Sequence, residues 1–428
     1  VILHEENAQP DMNESFSTDL PVLRNTFVKK IMSYSLDTVH FKGKRVLIRA
    51  DLNVPMNDQL EVTDDSRIRA SVKTIKKVLD DGGIAIVMSH LGRPKGGPEN
   101  KFSLLHIVPT LERALNNKVH FVADCIGEKP SALVDALAPG SVVLLENLRF
   151  YKEEEAGDEF FAGELARVGD VYVNDAFGTA HRAHASTAVI AKFFPTDKYF
   201  GYLMEDEVMS IEKILHSSER PVTAIIGGSK VSSKITIIEN LLPRVNHLII
   251  GGGMAYTFFK AMGGSIGNSL VEEDKLDLAL HIIDEARKHN VALHLPEDSY
   301  CGNAFSNDAK KTLTASNEIP DGLMGLDIGE KAAAHFREVI LQSKVVLWNG
   351  PMGVFEFENF NSGTKAIAAA LAEVTKQGAF TLVGGGDSVA AVNQLGYSDK
   401  VSYVSTGGGA MLEALEGIKL PGVAAIES

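Results

Sequence analysis

From Lys44 onward, short and almost continuously apolar runs alternate with helical patterns, and this rhythm constrains the fold more than any other feature of the chain. In the first half the runs are Arg45–Arg49, Ile84–Met88, Val119–Val122, Val142–Leu145 and Val171–Val173. In the second half they are Val222–Ile226, His247–Ile250, Val291–Leu295, Lys344–Leu347, Phe380–Val383 and Val401–Val404. Runs that are apolar throughout, without strict alternation, mark strands covered on both faces of a parallel sheet. Amphipathic stretches such as "SRIRASVKTIKKVLDD" and "DEFFAGELARVG" lie between them. Strand–helix–strand order implies right-handed crossovers and a doubly wound α/β sheet.

A chain of 428 residues exceeds one comfortable core, so two such sheets are expected. The seam falls near "YFGYLMEDEVMSIEKILHSSERP", where a helix pattern over Leu203–Leu215 is broken by "HSSERP". The expected fold is therefore α/β, with two doubly wound parallel-sheet (Rossmann-like) domains facing each other across a cleft and joined by a hinge helix. Residues 1–31 contain five acids and no apolar stretch of signal-peptide length, and they lack the Arg-rich, acid-poor character of a transit peptide. They are expected to form a disordered extension, with Met32 a sensible start.

Lys plus Arg number 42 against 56 Asp plus Glu, a net charge of −14. That balance argues against nucleic acid and anionic membranes as partners, but not against a local basic pocket. The two cysteines, Cys125 and Cys301, are far apart, which excludes a disulfide scaffold and zinc spacing and fits a reducing, cytoplasmic setting. No apolar run reaches the roughly 18 residues of a membrane span.

Ligands of open α/β sheets sit beyond the carboxyl ends of the strands. In the first half those positions carry cations: "DLNVP" with Asp51 and Asn53, "SHLGRP" with His90 and Arg93, "ENLRF" with Arg149, and "DAFGTAHRAH" with His181, Arg182 and His184. Arg67 and Arg69 open the first long helix. Guanidinium forks match phosphate and carboxylate oxygens, so the set implies a pocket for a small polyanion.

In the second half the same positions carry glycines: "IIGGSK", "IIGGGM", "NGPMGVFE", "LVGGGDS" and "STGGGA". Glycine lets backbone approach a ligand, and helix N-termini behind such loops favour phosphate. Lys230 and Lys234 share a helix face, and Asp387 is placed to meet Mg²⁺ on a nucleotide. No GxxxxGK[ST] loop, GxGxxG fingerprint or HRD/DFG set is present, which disfavours P-loop ATPases, ordinary NAD dehydrogenases and protein kinases. Phosphoryl transfer between a polyanion lobe and a nucleotide lobe is the leading expectation.

The motifs "RADLNVP", "SHLGRP", "LLENLRF", "NDAFGTAHRAH", "GGSKVSSKI", "GGGMAYTF", "GLMGLDIG", "WNGPMGVFE", "GGGDS" and "STGGGA" follow one another in an order that closely resembles phosphoglycerate kinases, from Leu36 to the C-terminus. The departures are small: "RADL" for the commoner "RVDF", and Ser229 where alanine is common.

The resemblance implies reversible, Mg²⁺-dependent phosphoryl transfer between 1,3-bisphosphoglycerate and ADP, giving 3-phosphoglycerate and ATP, by a monomer. It implies domains over 32–200 (phosphoglycerate) and 217–405 (nucleotide), an interdomain helix over 201–216, and a segment 406–428 returning to the first domain. It places Asp51 and Asn53 on the glycerate, His90, Arg93, Arg149 and Arg182 on the phosphate that stays, and Arg67, Lys230 and Lys234 on the transferring group and nucleotide phosphates. Gly228, Gly251, Gly252, Gly325 and Leu326 would line the nucleotide's place, with Asn349, Pro351 and Glu356 near ribose and phosphates. Gly385, Gly386 and Ser388 would cap phosphates, and Asp387 would meet the metal. Lys95, which makes "SHLGRPKGG" look like a nucleotide loop, is expected to be a solvated surface charge. A non-catalytic relative would be marked by loss of Arg67, Lys230, Lys234 or Asp387, and all four are present.

Overall fold

The computed structural model describes residues 30–428. Two six-stranded sheets, parallel throughout, organise the chain. The first contains β1 (Arg45–Ala50), β2 (Ile84–Met88), β3 (Val119–Val122), β4 (Val142–Leu145), β5 (Val171–Asp175) and β6 (Lys198–Phe200), in the order β3-β4-β2-β1-β5-β6. The second contains β7 (Val222–Ile226), β8 (His247–Ile250), β10 (Ala292–His294), β15 (Val345–Asn349), β16 (Phe380–Val383) and β17 (Tyr403–Val404), in the order β10-β8-β7-β15-β16-β17. Strands β9 (Ser265–Ile266) and β13 (Glu318–Ile319) form a small pair, and β11 (Asp298–Gly302), β12 (Thr312–Ala315) and β14 (Met324–Ile328) a small antiparallel sheet.

The apolar runs form the strands they imply because burial on both faces leaves no polar alternation to satisfy. Every residue of β2, β4, β7 and β15 is buried. At the edges the agreement loosens. The expected strand Val291–Leu295 pairs only over Ala292–His294, and Val401–Val404 only over Tyr403–Val404. Edge strands pair on one side, so fewer ladder bonds hold their ends. Strand β6 and the antiparallel sheet carry no apolar run to announce them: "KYF" is three residues long, and "DSYCG" reads as loop.

The helix Tyr202–Leu215 joins the sheets, and its buried residues Met204, Glu207, Val208, Ile211 and Ile214 recur at helical spacing. Asp175, at the end of β5, accepts from the backbone N–H groups of Leu203 (3.0 Å) and Met204 (3.4 Å) and so caps this helix. Gly201 makes that contact possible, since a Cβ there would lie 2.1 Å from Asp175 Oδ1. One apolar cluster runs from Leu47 and Ile86 of the first sheet through Ile211 to Ala224 and Leu347 of the second.

After the "STGGGA" loop the chain packs on the first half, where Gly422 N–H donates to Ala180 O (2.8 Å) and Lys198 Nζ lies 3.0 Å from Ser428 Oγ. The expected extension over 1–31 falls mostly outside the described residues. Its last two residues do not fit that expectation: Ile31 is fully buried, and Lys30 Nζ donates to Glu427 at 3.1 Å. Among the described residues, no helix is long and apolar enough to cross a membrane.

Candidate active site

The carboxyl ends of β1, β2, β4 and β5 surround a cavity of about 300 Å³ lined by Asp51, Asn53, Arg67, His90, Arg93, Arg149 and Arg182, with Gly92, Gly178, Thr179, His181 and Thr406–Gly409. All seven residues assigned to the first substrate are thus brought together. Arg67, in the first turn of the helix Ser66–Asp80, donates from Nη1 to both Asp51 oxygens (3.1 and 3.0 Å) and to Asn53 O (3.2 Å). Its side chain keeps 38% exposure, so the fork is held but still open to solvent. Arg149 is mostly buried; it donates from Nη1 to Gly92 O (2.9 Å), and its Nε lies 3.2 Å from Glu155. Burial lowers its pKa, with Arg49 and Arg182 adding to the effect. Arg93 and Arg182 are exposed, and Arg182 Nε donates to His181 Nε2 (3.2 Å). Lys95 is exposed, outside this lining, as its reading as a solvated charge requires.

The organiser of this pocket is Arg49, which the reading of strand ends overlooks because it lies inside β1. It is fully buried and donates from Nε to Ser186 Oγ (2.8 Å). Ser186 in turn donates to Glu154 through Oγ (2.5 Å) and N–H (2.9 Å). Arg49 Nη2 lies 3.2 Å from His90 Nδ1. A guanidinium only donates, so Nδ1 accepts and the proton of neutral His90 sits on Nε2. Burial, followed by Arg49 and Arg149, holds the His90 pKa well below the usual histidine range. A charged residue within an otherwise apolar, doubly covered strand is the sequence signal that marks Arg49.

Thr406–Gly409 come from beyond β17 and are held by Glu207 of the connecting helix. Its carboxylate accepts from Thr406 N–H (2.6 Å), Thr406 Oγ1 (2.8 Å) and Ser405 Oγ (2.8 Å). Burial raises the Glu207 pKa to about 7, against these hydrogen bonds.

A second cavity of about 530 Å³ opens at the carboxyl ends of the other sheet. Gly228, Gly252, Gly325, Leu326, Pro351, Glu356 and Asp387 line it, as do Tyr256, Met324 and Asp327 from the same glycine motifs and Leu270 and Phe305 from outside them. Gly251 lies behind the wall, where a Cβ would sit 2.4 Å from Met352 Sδ. The glycines here differ from the expected phosphate cradle. The N–H groups of Gly228 and Gly252 donate to Pro351 O (3.1 Å) and Met352 O (3.1 Å). Gly252 has φ +68°, and a Cβ would lie 2.6 Å from Gly228 N, so glycine serves loop-on-loop packing at this point.

Lys234 is half-buried, and its Nζ donates to Asn349 Oδ1 (2.6 Å) while Asn349 Nδ2 donates to Gly384 O (2.7 Å). Burial lowers the Lys234 pKa, with Asp387 opposing. Asn349 is thus a brace for the lysine. Ser388 is fully buried and its Oγ accepts from Gly350 N–H (2.5 Å), so its hydroxyl braces the loop after β15. Lys230 is exposed and lines neither cavity.

Free N–H groups gather where two helices begin, Gly386–Gln394 and Gly408–Leu415. These ends converge: a Cβ on Gly408 would lie 3.5 Å from Gly386 N and 3.7 Å from Gly385 Cα. Gly408 and Gly409 face the basic cavity, and Asp387 faces the other. The arrangement joins a cation-lined pocket to an apolar, glycine-walled one through paired helix N-termini, which suits transfer of an anionic group between two ligands.

Comparison with known proteins agrees with this geometry. The phosphoglycerate kinase family model matches residues 36–418. A phosphoglycerate kinase of Porphyromonas gingivalis is 53% identical over 418 residues, covering 92% of this chain and 100% of that protein. The cytosolic phosphoglycerate kinase of Triticum aestivum is 53% identical over 393 residues, with 92% and 98% covered. The structure of phosphoglycerate kinase from Coxiella burnetii superposes with a TM-score of 0.84 at 40% identity, covering 92% of this chain and 98% of that one. The chain belongs to the phosphoglycerate kinase family.

Proposed function

We propose that this protein transfers a phosphoryl group reversibly between 1,3-bisphosphoglycerate and ADP, yielding 3-phosphoglycerate and ATP. The observation that carries this reading is the pair of helix N-termini at Gly386 and Gly408, which lies between the arginine pocket and the glycine-walled cavity. In the ATP-consuming direction the nucleophile is a carboxylate, already ionised at neutral pH, so no general base is needed. The barrier is repulsion and misalignment of anions, which positioned cations and N–H donors lower.

In this reading, Arg93, Arg149, Arg182 and the Nε2–H of His90 hold the phosphate that stays, while Asp51 and Asn53 orient the glycerate and fix Arg67. Arg67 neutralises charge on the acyl phosphate. Gly325 and Leu326 flank the base, and Pro351 and Glu356 flank the ribose. Lys234 and the N–H groups of Gly386–Ser388 meet the nucleotide phosphates. Lys230, exposed on its loop, reaches the moving group when residues 32–200 and 217–405 close about the helix over 201–216, with 406–428 tying the two halves together.

Mg²⁺ fits the donor set. Asp387 offers one carboxylate at the cavity wall, and no cluster of three metal-ligating side chains exists among the described residues. Mg²⁺ keeps waters and phosphate oxygens as most of its ligands, so one carboxylate suffices to hold it. When bound, it supplies charge neutralisation at the nucleotide phosphates. A monomer working in the cytoplasm completes the proposal.

A coupled assay with 3-phosphoglycerate and Mg-ATP tests the reading, and absence of turnover by folded protein would refute it.

A further inference from the structure

Three histidines that line neither cavity stand in a hydrogen-bonded row at the edge of the second sheet. His247 opens β8 and His294 closes the edge strand β10. His294 is the register partner of Ile249, two residues beyond His247, so all three side chains share one face of the sheet. The helix Glu330–Leu341 packs on that face, with Phe336 and Ile340 in one apolar cluster with Ile249, and it brings His335 to the same place. His247 Nδ1 lies 3.1 Å from His294 Nε2, and His294 Nδ1 lies 2.9 Å from His335 Nε2. All three rings are half-buried.

No other charge joins them. Strands β8 and β10 hold no further titratable residue. On the helix, Lys331 and Glu338 lie about a turn to either side of His335 and are exposed, and Arg337 pairs with Glu373 (2.6 Å). Glu330 accepts from Tyr300 Oη (2.7 Å), and Asp298 of β11 accepts from the N–H groups of Lys331 (3.2 Å) and Ala332 (2.8 Å). Glu297, beyond β10, is exposed. Nor do three metal-ligating side chains converge on a point among the described residues, so the row suits protons rather than a metal ion.

Proton counting shows what the row can do. A neutral imidazole has one N–H and one bare nitrogen. Here two inner pairs of nitrogens face each other, and His247 Nε2 and His335 Nδ1 face outward. Three neutral rings supply one proton to each inner pair and one to an outer nitrogen. One more proton fits on the other outer nitrogen, and both bonds survive. A single hop along each bond then moves the charge from ring to ring. The next proton must enter an inner pair, where two N–H groups would face each other, so one bond breaks. Burial lowers the His247 pKa, and His294 is pushed down to about 4, by burial first and then by the other two rings.

We propose that His247, His294 and His335 form a proton-sharing clamp, which fastens β10 to β8 and to the helix Glu330–Leu341, keeps its hold on taking up one proton and releases β10 on taking up a second. Freed histidines titrate near 6.5, so the released edge binds protons that the clamp refuses, and the hold weakens as pH falls below that value. The clamp joins two segments that lead to the glycine-walled cavity: β8 runs on to Gly252, and β14, just before the helix, carries Gly325 and Leu326.

The test follows the ring resonances of the three histidines in the full chain as pH falls. In the wild type the first proton should register on all three with one common midpoint. His294→Gln keeps a donor and an acceptor at the centre but cannot pass a proton, so His247 and His335 should then titrate with separate midpoints. Amide exchange in β10, corrected for its intrinsic pH dependence, reads the release. Between about pH 6 and pH 5 the open population should rise by more than about tenfold per pH unit in the wild type, because opening takes up more than one proton. In the double variant His247→Gln, His335→Gln a single imidazole remains, and the rise should not exceed about tenfold. Separate midpoints or a rise of tenfold or less in the wild type would overturn the proposal, whether or not the variants fold. A common midpoint that persists in His294→Gln, or an equally steep rise in the double variant, would also overturn it.

Discussion

Arg49 Nη2 donates to His90 Nδ1 across 3.2 Å, wholly inside the first sheet's edge, and this contact decides which nitrogen of His90 carries the proton. Arg49→Met removes it and leaves Glu154 buried without its nearby positive charge. The unfolding free energy should fall by about 3–5 kcal/mol, the cost typical of breaking a buried charge pair. Adding Glu154→Gln should restore part of the loss. Urea denaturation of the single and double variants checks both outcomes.

Arg67 is fastened to Asp51 through Nη1 and stays partly open to solvent. If it neutralises the moving phosphoryl group, Arg67→Ala should cut kcat by roughly 10²–10³-fold, the scale of losing one charge-stabilising donor. Nucleotide affinity should hardly change. Steady-state kinetics with a separate nucleotide Kd separates the two, and an equal loss in both would contradict the role.

His184 is pushed down to about 4, first by burial and then by Arg149, Arg49 and Arg182. An unfolded histidine titrates near 6.5, so the unfolded chain binds the extra proton throughout the interval between. Folding stability from this group is complete above about pH 6.5 and drains away as pH falls toward about 4. The wild type should lose stability relative to His184→Gln over that window, and the His184 ring resonances should not move between pH 7 and about pH 5.

Glu207 has the opposite sign. Its pKa is raised to about 7 by burial, whereas an unfolded glutamate titrates near 4.3. The folded state keeps a proton that the unfolded state has lost, so this contribution falls as pH rises from about 4.3 to 7 and is level above. Glu207→Gln should flatten that slope while weakening the hold on Ser405 and Thr406. Melting temperatures across the window check the first effect, and the KM for 3-phosphoglycerate checks the second.

Lys230 and Lys234 look alike in the sequence but not in the structure. Lys230→Ala should leave the melting temperature unchanged, since the side chain is exposed and unbonded among the described residues. Lys234→Ala strands the buried Asn349 Oδ1 and should cost about 1–3 kcal/mol of stability, measured by denaturation.

The central strands were legible because their pattern is local. Five or so consecutive apolar residues have few alternatives to a doubly covered strand, and β2, β7 and β16 begin and end where the runs do. The small antiparallel sheet was not legible, because "DSYCG" and "TLTA" carry no continuous apolar run, although their partners lie nearby in the chain. The cation set after the first sheet's strands was readable position by position, since topology carries strand ends to one edge. Arg49 was missed by the same rule, lying one residue before its strand's end.

Residue type and order thus settled the two parallel sheets, the acidic surface around a local basic pocket, and the family likeness, because these depend on short-range pattern and on motifs. Tertiary packing decided the rest. It consumed the N–H groups of Gly228 and Gly252 in loop contacts, turned Asn349 and Ser388 into braces, and placed "STGGGA" against the arginine pocket. The physical reason is that a hydrogen bond's partner and a group's burial are properties of neighbours in space. The sequence lists the donors and acceptors, and only the packed chain says which of them are already spoken for.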